Sequence, residues 1–143
     1  MRIFLATLSG AVVQFLLGWL VYGLLLASFM GDNCNSFPGL MKDMNTASFY
    51  IVTFISGLVM SFMIAYIFQY WAKFDKFLKG LLGGMFIGFF MALTYDLFSF
   101  AMMNLITVQS LIVDVISNTI IVGIIGGVIA CVLGYKVKAA PSQ

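Results

Sequence analysis

Four long apolar runs dominate this chain and limit it to one kind of structure. They cover about residues 3–30, 47–72, 79–106 and 109–135. A helix of about 20 apolar residues crosses the hydrocarbon core of a bilayer, and the runs alternate too weakly for the strands of a membrane barrel. The sequence therefore predicts an all-α protein, a four-transmembrane-helix bundle that forms a single domain over residues 1–143.

Composition leads to the same class of protein, because 63% of the residues are hydrophobic and only 8% are charged. Soluble domains carry about 25% charged residues, so no separate soluble domain is expected. A cleavable signal peptide is the alternative for the first run. That run is much longer than the apolar stretch of a signal peptide, and no clean cleavage site follows it. We therefore predict a retained first helix.

The positions of the basic residues predict the orientation. Lys73, Lys76 and Lys79 crowd the short connection between the second and third spans, Arg2 precedes the first span, and two further lysines follow the fourth. Basic residues accumulate on the cytoplasmic side of membrane proteins. Both termini and this connection are therefore predicted to be cytoplasmic, and the loop over residues 31–46 is predicted to lie outside.

Glycines mark the faces on which the helices are expected to pack. Gly80, Gly84 and Gly88 form one every-fourth-residue row in the third span, and Gly123 and Gly127 belong to a broad small-residue face of the fourth. Small residues let helix backbones approach closely, which is how helices associate in lipid. The pattern predicts close helix packing in the bundle, with the lipid bilayer around it.

The turn between the third and fourth spans sets their predicted register. Taking Thr107 as the turn places Gly88 level with Gly126, and Asp96 level with Asn118. By the 1.5 Å rise of a helix, Asp96 then lies about 15 Å from the outer end of the third span.

Two polar residues of the fourth span complicate this packing. At 100° per residue, Asp114 and Asn118 fall on the face opposite the glycines of that span. A bare carboxylate should not face lipid. The fourth span is therefore expected either to be wedged between two neighbours in one chain, or to meet a second copy with one of its faces.

The intramembrane polar candidates are Asp96, Asn118, Gln14 and Asp114. Asp96 has two interpretations. In the structural one it is a neutral acid that hydrogen-bonds a neighbour, for which Asn118 and the adjacent Thr94 and Tyr95 are candidates. In the functional one it is a proton or cation site, since an intramembrane ionisable residue marks a functional site by default. Asp114 is close enough to the outer surface to be hydrated, and Gln14 is interpreted as a contact between helices.

The sequence offers no set of residues for enzyme catalysis. It contains no His, no Glu and no Cys-x-x-Cys pair, so we expect no zinc site, no Ser-His-Asp triad and no haem ligation by histidine. The two intramembrane aspartates are expected at different depths. We predict a protein that is not an enzyme, with no cofactor, no metal site and no nucleic-acid partner.

An internal repeat is possible. The segment WLVYGLLLASFM of the first span aligns with ALTYDLFSFAMM of the third, which places Tyr22 on Tyr95. The two halves of the chain would then be parallel two-helix repeats.

Two segments resemble a known family. The segment GWLVYG, residues 18–23, is similar to the Gly-Trp-x-x-Tyr-Gly motif in helix one of small uncharacterised bacterial four-helix membrane proteins, grouped as a domain of unknown function. The segment DVISNTIIVGIIGGVIACVLGY, residues 114–135, resembles the last helix of those proteins. The resemblance implies a multi-pass protein of the bacterial inner membrane, and it implies no reaction.

The functional prediction follows from the packing faces and from the polar residues in the spans. We predict a structural or interaction module that forms a homo-oligomer or binds a partner membrane protein. The alternative is a small-solute or ion/proton transporter or channel that uses Asp96. The sequence does not identify a small-molecule ligand.

Overall fold

The computed structural model describes residues 2–35, 37 and 46–135 of the chain. This part is helical apart from short connections, and its helices are α1 (Arg2–Gly18, continued by a π-helix Trp19–Leu25), α2 (Ala27–Asn33), α3 (Ala47–Tyr66, continued by a π-helix Ile67–Ala72), α4 (Phe77–Met102) and α5 (Val108–Gly134).

Four helical segments in the described residues are long and apolar enough to cross a membrane, and they are Arg2–Leu25, Ala47–Ala72, Phe77–Met102 and Val108–Gly134. The predicted all-α bundle with four membrane-spanning helices is therefore confirmed. The helices indicate a multi-pass membrane protein in contact with lipid.

Helix α5 is the centre of the bundle. It packs against α4 on one side and against α1 and α3 on the other, while α3 packs mainly against α1. Half of the most apolar stretch of α5 is buried inside the protein, against 17% for the corresponding stretch of α4. The fourth span is thus wedged between neighbours of its own chain, which was one of the two alternatives for covering its faces.

The core between α1, α3 and α5 is closely packed. Its largest fully buried side chains are apolar, and they are Ile64, Phe68, Ile125 and Ile129. Gly10 of α1 makes this packing possible, because a Cβ at that position would come within 2.8 Å of the side chain of Ile129. Dispersion contacts of this kind hold helices together in lipid, where the hydrophobic effect does not drive helices to associate.

A single row of residues joins α4 to α5. The buried residues of α4 recur at every fourth position, and they are Gly80, Gly84, Gly88, Ala92 and Asp96. A Cβ on Gly84 would collide with the carbonyl oxygen of Val122, and one on Gly80 would collide with the carbonyl oxygen of Gly126. The two backbones are therefore in direct contact, and Asp96 belongs to the same row as the glycines.

The predicted register between α4 and α5 is wrong by about one helical turn, which is one spacing of the every-fourth-residue row. Gly88 lies against Val122 and the carbonyl of Asn118, not beside Gly126, and Gly126 lies against Gly80 and Gly84. The reason is that α4 ends at Met102, before the predicted end of the third span at residue 106. The earlier turn moves every residue of α5 relative to α4.

The end of the bundle that carries the α4–α5 connection is called the turn end below, and the end that carries Lys73, Lys76 and Lys79 is called the lysine end. At the turn end, Thr107 caps α5: its side chain accepts from the backbone of Ser110, and the Ser110 hydroxyl accepts from the backbone of Thr107. This reciprocal cap fixes where α5 begins.

The segment after α2 also binds the turn end. The first span is shorter than predicted, because its helix breaks at Leu26 and the chain continues as α2. Beyond α2, the backbone N–H of Asn35 donates to the carbonyl of Leu105, and its side-chain amide donates to the carbonyl of Asn104, both at 2.8 Å. The first and last thirds of the chain therefore meet at this end.

Candidate functional site

Asp96 is the last buried residue of the α4 row, and it faces a second carboxyl group. Its side chain is only 5% exposed, and it lies within hydrogen-bonding reach of the Asp114 carboxyl group on α5. The sequence predicted Asn118 as the level partner and placed the two aspartates at different depths. Both expectations are wrong for the same reason as the register, because the earlier turn brings Asp114 opposite Asp96.

Asp114 is the centre of a network that joins three helices. The Asn118 side-chain amide donates to Asp114 Oδ2 and to Tyr22 Oη, each at 2.8 Å. The Tyr22 hydroxyl of the first span is in turn a hydrogen-bond neighbour of Asp114. We call Tyr22, Asp96, Asp114 and Asn118 the polar cluster. It connects the first span to α4 and α5.

Asp96 lies nearer the turn end than the sequence predicted. Asp96 is six positions before Met102, where α4 ends, and Asp114 is six positions after Val108, where α5 begins. At a 1.5 Å rise per residue, both carboxyl groups lie about 9 Å from the ends of their helices. The two acids are therefore at one depth in the bundle.

The polar cluster has no cationic partner among the described residues. The described basic residues are Arg2, Lys73, Lys76 and Lys79, and all four belong to the lysine end. Lys42 lies outside the described residues. One carboxylate oxygen of Asp96, Oδ2, is buried and has no hydrogen-bond partner within residues 2–35, 37 and 46–135. No described basic side chain therefore lies close enough to neutralise a carboxylate at this site.

The chemistry of two touching carboxyl groups limits their protonation. An ionised carboxylate only accepts hydrogen bonds. A hydrogen bond between Asp96 and Asp114 therefore requires one proton on the pair. Asp114 also accepts a hydrogen bond from Asn118 and is a neighbour of the Tyr22 hydroxyl.

A cleft of about 310 Å³ opens beside the polar cluster, between α3 and α4. We call it the α3–α4 cleft. Its walls are mostly apolar, and Asp114 and Asn118 lie at its polar side; its lining residues are Met60, Gly88, Met91, Ala92, Tyr95, Asp114, Asn118 and Val122. The site thus combines an apolar cleft with an acid pair.

The remaining predicted partners of Asp96 are occupied elsewhere. The hydroxyl group of Thr94 donates to the carbonyl of Phe90 on its own helix at 2.7 Å, and Tyr95 is 72% exposed. Gln14 lies beside Gly57 at the contact between α1 and α3. It stands about two helical turns from Tyr22 along the first span, so it lies apart from the polar cluster.

The glycines predicted to pack helices lie at the α4–α5 contact. Gly80, Gly84 and Gly88 face α5, a Cβ on Gly123 would meet the side chain of Met85, and one on Gly127 would meet the ring of Phe77. The glycines of α5 that face α4 therefore meet side chains as well as backbone.

Sequence reasoning missed Tyr22 as a site residue, because a tyrosine near the end of an apolar span is typical of the aromatic anchors of membrane proteins. Tyr22 was signalled by the every-fourth row of Gly10, Gln14 and Gly18 that precedes it on the first span. The small-residue row of α4 likewise continues beyond Gly88 and Ala92 to a polar residue, Asp96. In both helices the polar side chain at the end of the row belongs to the site.

The polar cluster contains two acidic side chains, Asp96 and Asp114. No group of three or more His, Cys, Asp or Glu side chains that could hold a metal ion occurs in the described part of the chain. Two carboxyl groups, one amide and one phenol are instead a set of groups that can bind and release protons or hold a single positive charge.

Comparisons with protein-family models, with curated proteins and with solved structures give no match for this chain. The family resemblance of its first and last helices stays a prediction.

Proposed function

We propose that this chain is a multi-pass protein of the bacterial inner membrane that binds a proton or a small cation at the Asp96–Asp114 pair and conducts it or couples it to the movement of a solute. The observation that carries the proposal is the pairing of two carboxyl groups from neighbouring spans, without a cationic partner among the described residues. Intramembrane ionisable residues of this kind mark ion and proton pathways.

The pair changes the balance between the two interpretations of Asp96. The sequence favoured a structural role, because it offered one deep carboxyl group and no second one beside it. With Asp114 opposite, the site can hold zero, one or two protons, which a lone hydrogen-bonded acid cannot do. A purely structural contact gains little from such a pair, since apolar residues of similar volume often stabilise a buried site as well or better.

The predicted orientation belongs to the same proposal. With both termini in the cytoplasm, the polar cluster lies near the outer surface, and the glycine-lined part of the α4–α5 contact lies between it and the cytoplasm. An ion that enters from outside then reaches Asp114 first, because Asp114 is partly exposed while Asp96 is buried.

The second candidate function is an interaction module that acts as a homo-oligomer or with a partner membrane protein. One observation favours it: Asp114 and Asn118 line a cleft that opens at the side of the bundle. A polar surface at this depth is costly in lipid, and a neighbouring subunit would cover it. A single mass for the detergent-solubilised protein, equal to one chain by light scattering, would count against this candidate.

The experiment for the proposed function is a flux assay in liposomes. Purified protein is reconstituted, a membrane potential is imposed, and proton and monovalent-cation entry are followed with internal dyes. We expect flux in the wild type and loss of most of it in Asp96→Asn and Asp114→Asn. Asp75→Asn serves as the matched control, because Asp75 is an exposed acid paired with Lys79 at the lysine end.

Two results of this assay would contradict the proposed function. One is the absence of flux in wild-type liposomes that contain folded protein. The other is flux that both cluster substitutions leave unchanged. Melting curves of the variants in detergent accompany the assay, so that loss of flux is separated from loss of fold.

A further inference from the structure

We infer that the α3–α4 cleft binds a monovalent organic cation with an apolar body, such as a quaternary ammonium compound. The inference rests on the proposed function, because it names the class of ligand that the acid pair would bind. It follows from the size of the cleft, the chemistry of its walls and the charge at its polar side.

The size of the cleft fits a small molecule. Its volume of about 310 Å³ lies at the lower end of the range of about 300–1,000 Å³ for ligand pockets. It opens at the side of the bundle, so that a ligand dissolved in the outer leaflet reaches it without crossing the protein. A ligand that enters this way must itself be apolar over most of its surface.

The walls of the cleft favour apolar and polarisable groups. Met60 of α3 and Met91 of α4 both line it, and Ala92 and Val122 add to its apolar surface. Methionine side chains adapt to ligands of irregular shape. A hydrated inorganic ion gains nothing from thioether and methyl groups, whereas an organic cation buries its own carbon atoms against them.

The charge at the polar side selects a cation. Asp114 lines the cleft, and Asp96 lies behind it with one buried carboxylate oxygen that has no partner in the described part of the chain. With one proton shared between the two acids, the pair keeps a single negative charge. One monovalent cation therefore neutralises the site, and a second proton on the pair competes with it.

Tyr95 adds a contact that distinguishes a cation from a neutral molecule of the same shape. Its ring lines the cleft and is largely exposed. A cation over the face of an aromatic ring is attracted by the ring quadrupole. The combination of a carboxylate and an aromatic ring around an apolar volume is the chemistry that recognises quaternary ammonium groups.

The test compares two probes of the same shape in nanodiscs of neutral lipid. Phenyltrimethylammonium carries a positive charge, and tert-butylbenzene replaces its nitrogen by carbon. We expect the wild type to bind the cation at least about tenfold more tightly than the neutral probe, measured by titration calorimetry against empty nanodiscs. Asp114→Asn should remove this preference, and Asp75→Asn should keep it.

A second pair of variants keeps the test decisive if Asp114→Asn does not fold. Tyr95→Phe retains the ring and Tyr95→Leu removes it, at a position whose side chain is largely exposed. We expect Tyr95→Leu to weaken binding of the cation by about threefold relative to Tyr95→Phe, with no change for the neutral probe. Equal weakening for both probes would overturn the inference.

The outcomes separate this inference from the proposed function. Equal affinity of the wild type for the two probes would overturn the inference, while flux that depends on Asp96 would leave the proposed function standing. Tight binding of the cation that requires Asp114, in a protein that carries no flux, would support the inference and contradict transport as its purpose.

Discussion

The two ends of the α4–α5 contact are held together by different forces. Toward the lysine end, Gly80 and Gly84 bring the two backbones so close that a methyl group on either would meet main-chain atoms of α5. Toward the turn end, the same every-fourth row continues through Ala92 to Asp96, which contacts the Asp114 carboxyl group. One row therefore changes from backbone packing to hydrogen bonding along its length.

The difference shows how a small membrane protein can combine rigidity with chemistry. In lipid, close packing of small residues and hydrogen bonds between helices replace the hydrophobic drive of water-soluble proteins. The end of the contact at Gly80 and Gly84, the glycine end, leaves no space for a ligand or an ion. The end of the contact at Asp96 and Asp114, the acid end, leaves a cleft and a buried carboxylate oxygen without a partner among the described residues. Stability is expected to depend mainly on the first end and function on the second.

Gly84→Leu should have the largest effect on stability, because it breaks the glycine end. A Cβ at this position meets the Val122 carbonyl oxygen, so the backbones must separate. Overpacking of a rigid site costs about 1–3 kcal/mol, and more where main chain must move. We expect the free energy of unfolding in detergent to fall by about 3 kcal/mol or more.

Gly18→Leu is the matched control for this prediction, because Gly18 is helical and a Cβ there meets nothing within 4 Å. Gly127→Leu should fall between the two, since the Phe77 ring that it meets can rotate away. Equal unfolding energies for Gly84→Leu and Gly18→Leu would show that the row does not hold α4 to α5.

Asp96→Leu sharpens the comparison by removing the hydrogen bond of the acid end while keeping an apolar side chain of similar size. It leaves Asp114 without one of its partners, and an unsatisfied buried polar group costs about 1–3 kcal/mol. Asp96→Asn should be nearly neutral for stability, because its amide can still donate to Asp114. Thermal unfolding of both variants in detergent measures the difference. A strongly destabilised Asp96→Asn would rule out a protonated Asp96 that donates to Asp114.

Tyr22→Phe should have the smallest of these effects. It removes the Tyr22 hydroxyl group, which accepts a hydrogen bond from the Asn118 amide at 2.8 Å. The net contribution of one hydrogen bond to stability is about 1 kcal/mol. Tyr95→Phe is the control, since Tyr95 is largely exposed and should unfold like the wild type. Identical effects of the two substitutions would mean that the connection to the first span contributes nothing to stability.

The class of fold could be predicted from the sequence because hydropathy over 20 or more residues is a strong signal. The rows of small residues were also visible, since a spacing of four places residues on one face of any helix. What could not be predicted was where α4 ends. No Gly or Pro marks the position after Met102, and the cap formed by Thr107 and Ser110 is a weak signal inside an apolar run.

The error in that boundary passed directly into the site. Moving the turn by a few residues exchanges Asn118 for Asp114 as the partner of Asp96, and a lone acid becomes a pair. The first span posed a different problem: Tyr22 reaches the polar cluster from a helix whose position relative to α4 and α5 no sequence pattern specifies. Candidate sites between helices depend on register, which hydropathy does not determine.

The contact of Asn35 with the turn end has a consequence for how far the sequence there can vary. Both of its hydrogen bonds end on carbonyl oxygens of the main chain, those of Asn104 and Leu105. The contact therefore depends on the path of the backbone there and not on which side chains those two positions carry. Sequence change at the tip of the α4–α5 hairpin is compatible with an unchanged shape, whereas Asn35 supplies a side-chain amide that few other residues could replace.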